Sequence, residues 1–92
     1  MKITIKAKER MTLEDFADKH NLEMIVREYD WGWAASFENA EVKDGSVLIS
    51  EYGSGSDPES AILNYKKIIS DKTLVIGAYT TSRREICVPV LE

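Results

Sequence analysis

The chain has 92 residues, 43% hydrophobic and 30% charged, with a net charge of -4; that is the size and balance of one folded domain, able to bury ~two-thirds of its unfolded surface. Charged and apolar residues are interspersed, which excludes a disordered composition, and apolar runs such as Leu74-Val75-Ile76 fall far short of the ~18–20 residues of a membrane span. The alternating start MKITIKAKER lacks the continuous apolar stretch of a secretory signal, and the single Cys87 cannot form an internal disulfide, so a cytoplasmic location is expected.

Ile3, Ile5 and Ala7 alternate with Lys2, Thr4 and Lys6, the pattern of a short first strand with one buried and one basic face. Thr12, with Asp15 three residues on, marks a helix start, and Met11 is placed to staple onto Phe16. That helix should bury Leu13, Phe16 and Ala17 and end near His20-Asn21, because Asn tolerates the left-handed backbone common just past a helix. Residues 22–29 alternate as a second strand, with Met24 and Val26 on one face and Ile25, Arg27 and Tyr29 on the other.

Asp30-Trp31-Gly32 reads as a turn, and Trp33, Ala35 and Phe37 share one face of a third strand. Asp44-Gly45 is a hairpin signal leading into a fourth strand over 46–52. Asp57 or Ser56 can cap a second helix with Pro58 at its first position, where a missing N–H is no loss. Ala61, Ile62, Tyr65, Ile68 and Ile69 recur on one helical face, opposite Glu59, Asn64, Lys66 and Lys67. Ser70-Asp71-Lys72 ends the helix, and residues 73–79 and 85–90 form two last strands around 80–84, with Pro89 placing the final strand at an edge. The expectation is one α+β domain over 1–92, ordered β-α-β-β-β-α-β-β, with a mainly antiparallel sheet and both helices on one face.

Charge is unevenly laid out. Residues 23–59 hold two Lys/Arg against nine Asp/Glu, a net of -7, between flanks at +1 and +2. A field of that sign repels phosphate backbones and attracts basic partners.

The succession of helix, three-strand meander and helix over 12–69, joined through Gly53-Ser54-Gly55, resembles the topology of double-stranded RNA-binding domains. Those domains place a Lys cluster at the start of the second helix, whereas this chain has Asp57-Pro58-Glu59 there, which argues against RNA binding. The stretch YGSGSDPESA is similar to the strand-to-helix turn of HicB-like antitoxins, which share a partial version of that fold. Over about residues 12–91, the ASFENAEVKDG hairpin, EYGSGSDPESAILNYKKIIS, KTLVI and RREICVPVL together resemble small phage- and prophage-encoded proteins. This resemblance implies a phage origin, a host-cell cytoplasm as the setting and an interaction role rather than a metabolic one.

Candidate site residues follow from chemistry and position. Tyr29, Trp31 and Trp33 bracket a turn with large rigid rings suited to a protein partner or a base; of the two tryptophans, Trp33, alternating with Phe37, reads as the one in the core, and Trp31, at the turn, as the better interface candidate. Glu51 and Tyr52 precede the Gly-Ser segment, and Arg83 and Arg84 offer guanidinium forks to a phosphate or carboxylate, with Lys66, Lys67 and Lys72 as possible neighbours in a small basic patch. Gly53-Ser54-Gly55 reads as a left-handed turn; as an anion cradle it lacks a P-loop Lys and is followed by two carboxylates. With one His and one Cys no His/Cys metal cluster can assemble, and Cys87, inside a strand, reads as a small apolar filler rather than a nucleophile paired with His20. No carboxylate pair has a spacing that singles it out. The expected function is a non-catalytic binding module without cofactor or metal, which either inhibits a host defence protein through that protein's basic surface or sequesters a small nucleotide signal. A nucleic-acid-binding domain is the alternative, and a homodimer through the uncovered first strand stays open.

Overall fold

The computed structural model describes residues 1–5 and 9–92. In chain order the elements are β1 (Arg10–Met11), α1 (Leu13–His20), β2 (Met24–Tyr29), β3 (Gly32–Phe37), β4 (Ala40–Asp44), β5 (Val47–Ile49), β6 (Gly53–Gly55), α2 (Pro58–Ile69), β7 (Thr73–Ile76), β8 (Arg84–Cys87) and β9 (Val90–Leu91). The class is α+β, with antiparallel pairing throughout except between β1 and β9, which run parallel.

Both helices form where their caps direct. The Thr12 hydroxyl accepts the Asp15 N–H at 3.1 Å, and Asn21 ends α1 in the left-handed conformation at φ 54°. Asp57 caps α2 by accepting the Ser60 N–H at 2.7 Å, with Pro58 in the first turn. From α1, Phe16 is fully buried and meets the Phe37 ring of β3 at 6.2 Å; from α2, Ala61, Tyr65 and Ile69 are buried. Tyr65 meets Phe37 edge-on at 5.6 Å, so both helices feed one core. Each fully buried side chain of this size contributes ~1.5–3 kcal/mol.

The strands depart from the expected order in three places. Among residues 1–5 no strand forms, and Ile3 and Ile5 are exposed, while Lys6 and Ala7 lie outside the described residues. The first strand among the described residues is instead Arg10–Met11, paired with β9.

The middle of the chain does not form one meander either. After Phe37 the backbone turns through Asn39 at φ 57° and leaves the first sheet, and β4 pairs with β7 instead of β3. The expected strand over 46–52 is split: β5 pairs with β4, and three residues later β6 pairs with β3. Three sheets result among the described residues, ordered β2-β3-β6, β5-β4-β7-β8 and β1-β9.

At the far end, Gly77 at φ 63° stops β7 at Ile76, leaving Tyr79 exposed, and Pro89 divides the expected last strand into β8 and β9. β8 is an edge strand.

The glycine pair at 53 and 55 also differs from expectation. Neither residue has a positive φ; Gly53–Gly55 is strand β6, lying directly beneath α2. A Cβ on Gly53 would collide with the Ala61 carbonyl oxygen and the Tyr65 nitrogen, and one on Gly55 would lie 2.6 Å from the Ala61 nitrogen. Glycine is needed here for close helix-on-sheet approach. Asn64, expected to face outward, turns to this edge and accepts the Ser54 N–H at 2.9 Å, so that donor is already satisfied.

Candidate functional site

Strand alternation gives the β2-β3-β6 sheet two unlike faces. Met24, Val26, Trp33, Ala35 and Phe37 pack toward the core, beneath α2. The other face carries Ile25, Arg27 and Tyr29 from β2 with Ala34 and Ser36 from β3, and together with Glu51 and Tyr52 these residues line a groove of about 630 Å³.

One end of the groove is aromatic. Tyr29 pairs with Gly32 across the hairpin, and the Asp30-Trp31 turn brings the Trp31 ring back onto Tyr29, stacked at 5.3 Å with 3° between planes. Gly32, at φ 139°, permits this tight return, and a Cβ there would lie 2.6 Å from the Gly55 carbonyl oxygen. Tyr52 enters from the segment joining β5 to β6, its ring tilted 42° and 6.2 Å from Trp31. The three rings remain 48%, 57% and 54% exposed for Tyr29, Trp31 and Tyr52. Exposed rings that contact one another keep their positions at little entropic cost when a partner arrives.

The charge at the groove is mixed but mainly negative. Glu38 and Glu51 line it together with Arg27, and Asp30 is exposed at the turn. Arg27 makes no ion pair among the described residues.

Four of the seven residues expected from sequence therefore meet in one place: Tyr29, Trp31, Glu51 and Tyr52. Trp33 does not, because alternation turns it to the core side. Arg83 and Arg84 also stand apart from the groove: the Arg83 guanidinium approaches Glu85 at 3.5 Å, and Arg84 donates to the His20 carbonyl oxygen at 2.7 Å, tying β8 to the end of α1. Sequence reasoning missed Arg27, Ser36 and Glu38 as groove residues, although the alternation that placed Tyr29 outward carried the signal for Arg27.

A second hollow of about 380 Å³ lies between α1 and β8, lined by Glu9, Lys19, His20, Arg84 and Cys87 among others. Cys87 is exposed, contrary to its expected place as a filler, because Ile86 and Val88 are the inward residues of that segment. His20 rests 4.8 Å from the Phe16 ring; partial burial, then the nearby charges of Lys19 and Arg84, hold its pKa below the usual value. No group of three or more His, Cys, Asp or Glu among the described residues is arranged to hold a metal, and no helix there is long and apolar enough to cross a membrane.

Comparison with protein-family models, with curated proteins and with solved structures yields no match, which leaves the groove's own chemistry to carry the functional reading.

Proposed function

We propose that the chain is a non-catalytic binding module that captures a protein partner through a basic surface on that partner. The observation that carries this reading is the convergence of three exposed rings, Tyr29, Trp31 and Tyr52, on a groove bordered by Glu38 and Glu51. Ring faces attract Arg and Lys cations, the flanking carboxylates pair with them, and the -7 net charge of residues 23–59 steers a basic surface toward the site. Taken with the resemblance to phage-encoded proteins, the partner is a host defence protein, inhibited in the host cytoplasm.

The test is affinity capture from bacterial lysate, run in parallel with the wild-type chain and Trp31→Ala. A stoichiometric basic protein retained by the wild type should be lost with the variant, whose affinity falls by about 2 kcal/mol, roughly thirtyfold. A protein retained equally by both would place recognition elsewhere on the molecule.

The groove volume of about 630 Å³ favours a second reading, a small nucleotide signal held by base stacking on the rings and by Arg27 on the phosphate. A nucleotide released on heating the purified wild-type complex, and absent from Trp31→Ala, would select it. For the nucleic-acid alternative, α1, the β2-β3-β6 sheet and α2 supply two helices and three antiparallel strands, but β4 and β5 interrupt the meander between β3 and β6, and Asp57 and Glu59 lie at the start of α2 where that mode requires cations. Recovered polynucleotide that dissociates with salt would revive it.

A further inference from the structure

Two apolar sets in the described residues lack cover, and they match. The first is Ile3 and Ile5, 70% and 90% exposed, alternating with Lys2 and Thr4 in a segment that forms no strand within the chain. The second is Val47 and Ile49 on β5, 58% and 37% exposed. Ile49 pairs with the buried Val42, and Val47 lies on the same side of the sheet, so both face the core side but protrude past its covered part. Among the described residues β5 ends the order β5-β4-β7-β8, which leaves one side of its backbone open to a further strand.

The alternation fits as well: Ile3 and Ile5 flank Thr4 as Val47 and Ile49 flank Leu48, so each triplet sets two apolar side chains on one face. We propose that residues 2–5 of one copy add as a strand to the open edge of β5 in a second copy, reciprocally, closing a two-fold dimer. Ile3 and Ile5 then lie beside Val47 and Ile49 on the core side, and Lys2 and Thr4 face outward.

A second copy is the better host than the chain's own β5. The segment leaves from β1, which is bonded to β9 beyond β8, and β8 is the opposite edge of the four-stranded sheet, so the place outside β5 lies four strand spacings, roughly 19 Å, from β8, farther than the four linking residues 6–9 span fully extended, roughly 14 Å. Reciprocal exchange also closes the assembly, whereas one-way addition would leave a free end and a free edge at each step.

The experiment is sedimentation equilibrium of the full chain over a concentration series, with an arm variant (Ile3→Lys with Ile5→Lys), an edge variant (Val47→Lys with Ile49→Lys) and their mixture. The wild type should reach dimer mass, each variant alone should weaken association by at least about tenfold, and the mixture should regain part of it, because one intact arm meets one intact edge. Trp31→Ala should dimerise like the wild type, which separates this contact from the groove. The arm variant changes only exposed positions, so its fold should survive by circular dichroism even if the edge variant does not fold. A wild-type monomer at every concentration, an arm variant that still dimerises, or a species that grows past the dimer would each overturn the exchange.

Discussion

The two faces of the β2-β3-β6 sheet come from alternate residues of the same strands, yet they have opposite chemistry. On the inner face, Ala35 and Phe37 are buried and the glycines of β6 let α2 approach until a methyl group would not fit. On the outer face, the Trp31 ring lies against Tyr29 and Tyr52, and all three leave about half their surface to solvent. Buried packing is concentrated on one side and exposed aromatic surface, the proposed recognition surface, on the other, with a single backbone between them. Substitutions on either face should therefore separate the two properties.

The largest effect belongs to the inner face. Gly53→Ala puts a methyl into the Ala61 carbonyl and the Tyr65 nitrogen, both backbone atoms of α2 that cannot rotate away, so the helix must lift from the sheet. The expected loss is ~3 kcal/mol, the upper end of overpacking costs, read as a shift of the urea midpoint. An unchanged midpoint would mean that α2 does not sit on β6 as described.

Trp31 and Trp33, separated by Gly32, sharpen the comparison within three residues. Trp33 packs against the core, so Trp33→Ala should remove about 3 kcal/mol. Trp31 is 57% exposed, and Trp31→Ala should cost under ~1 kcal/mol, a fall in Tm of no more than about 8 °C for a domain this size. Equal losses from the two variants would show that the outer rings support the fold and would remove the reason to treat them as a binding surface.

How much of this was legible in the sequence depends on whether local or distant contacts decide. Thr12, Asn21, Asp57 and Pro58 act within one helical turn, and each stands where its side-chain chemistry puts it. Alternation likewise separated Tyr29 from Met24 and Val26, and Trp33, with its two possible readings, went to the core. The passage from β3 to β4 was not legible, because it rests on an Asn in a positive-φ turn and on β4 finding β7, about 35 residues later in the chain. The role of Gly53-Ser54-Gly55 was misread for the same reason. Two alternating glycines before a helix fit a turn locally, and only the docking of α2 makes them a strand. Within the groove, the rings were visible as a cluster around one turn, whereas Glu38 joins them only through the tertiary path of the chain.

The smallest predicted effect tests the second sheet, where long charged side chains do the covering that α2 does for the first. Lys43 on β4 and Glu85 on β8 meet at 2.9 Å across β7, on the face that holds the fully buried Val75. The hydrogen bond from Lys43, then its charge, with a lesser contribution from Arg83, holds the Glu85 carboxyl below its ordinary value of 4.5. A carboxyl depressed in the folded state stabilises the fold above its unfolded pKa, and that contribution disappears as pH falls through the folded value. The wild type should thus melt slightly above Glu85→Gln at neutral pH, and the gap should close as the pH drops below 4.5. Added salt should narrow the gap at neutral pH too, since both partners are partly exposed. A gap that holds constant from neutral to acid pH would mean that Glu85 acts through packing over Val75 rather than through its charge, making this outer surface a second apolar layer like the one beneath α2.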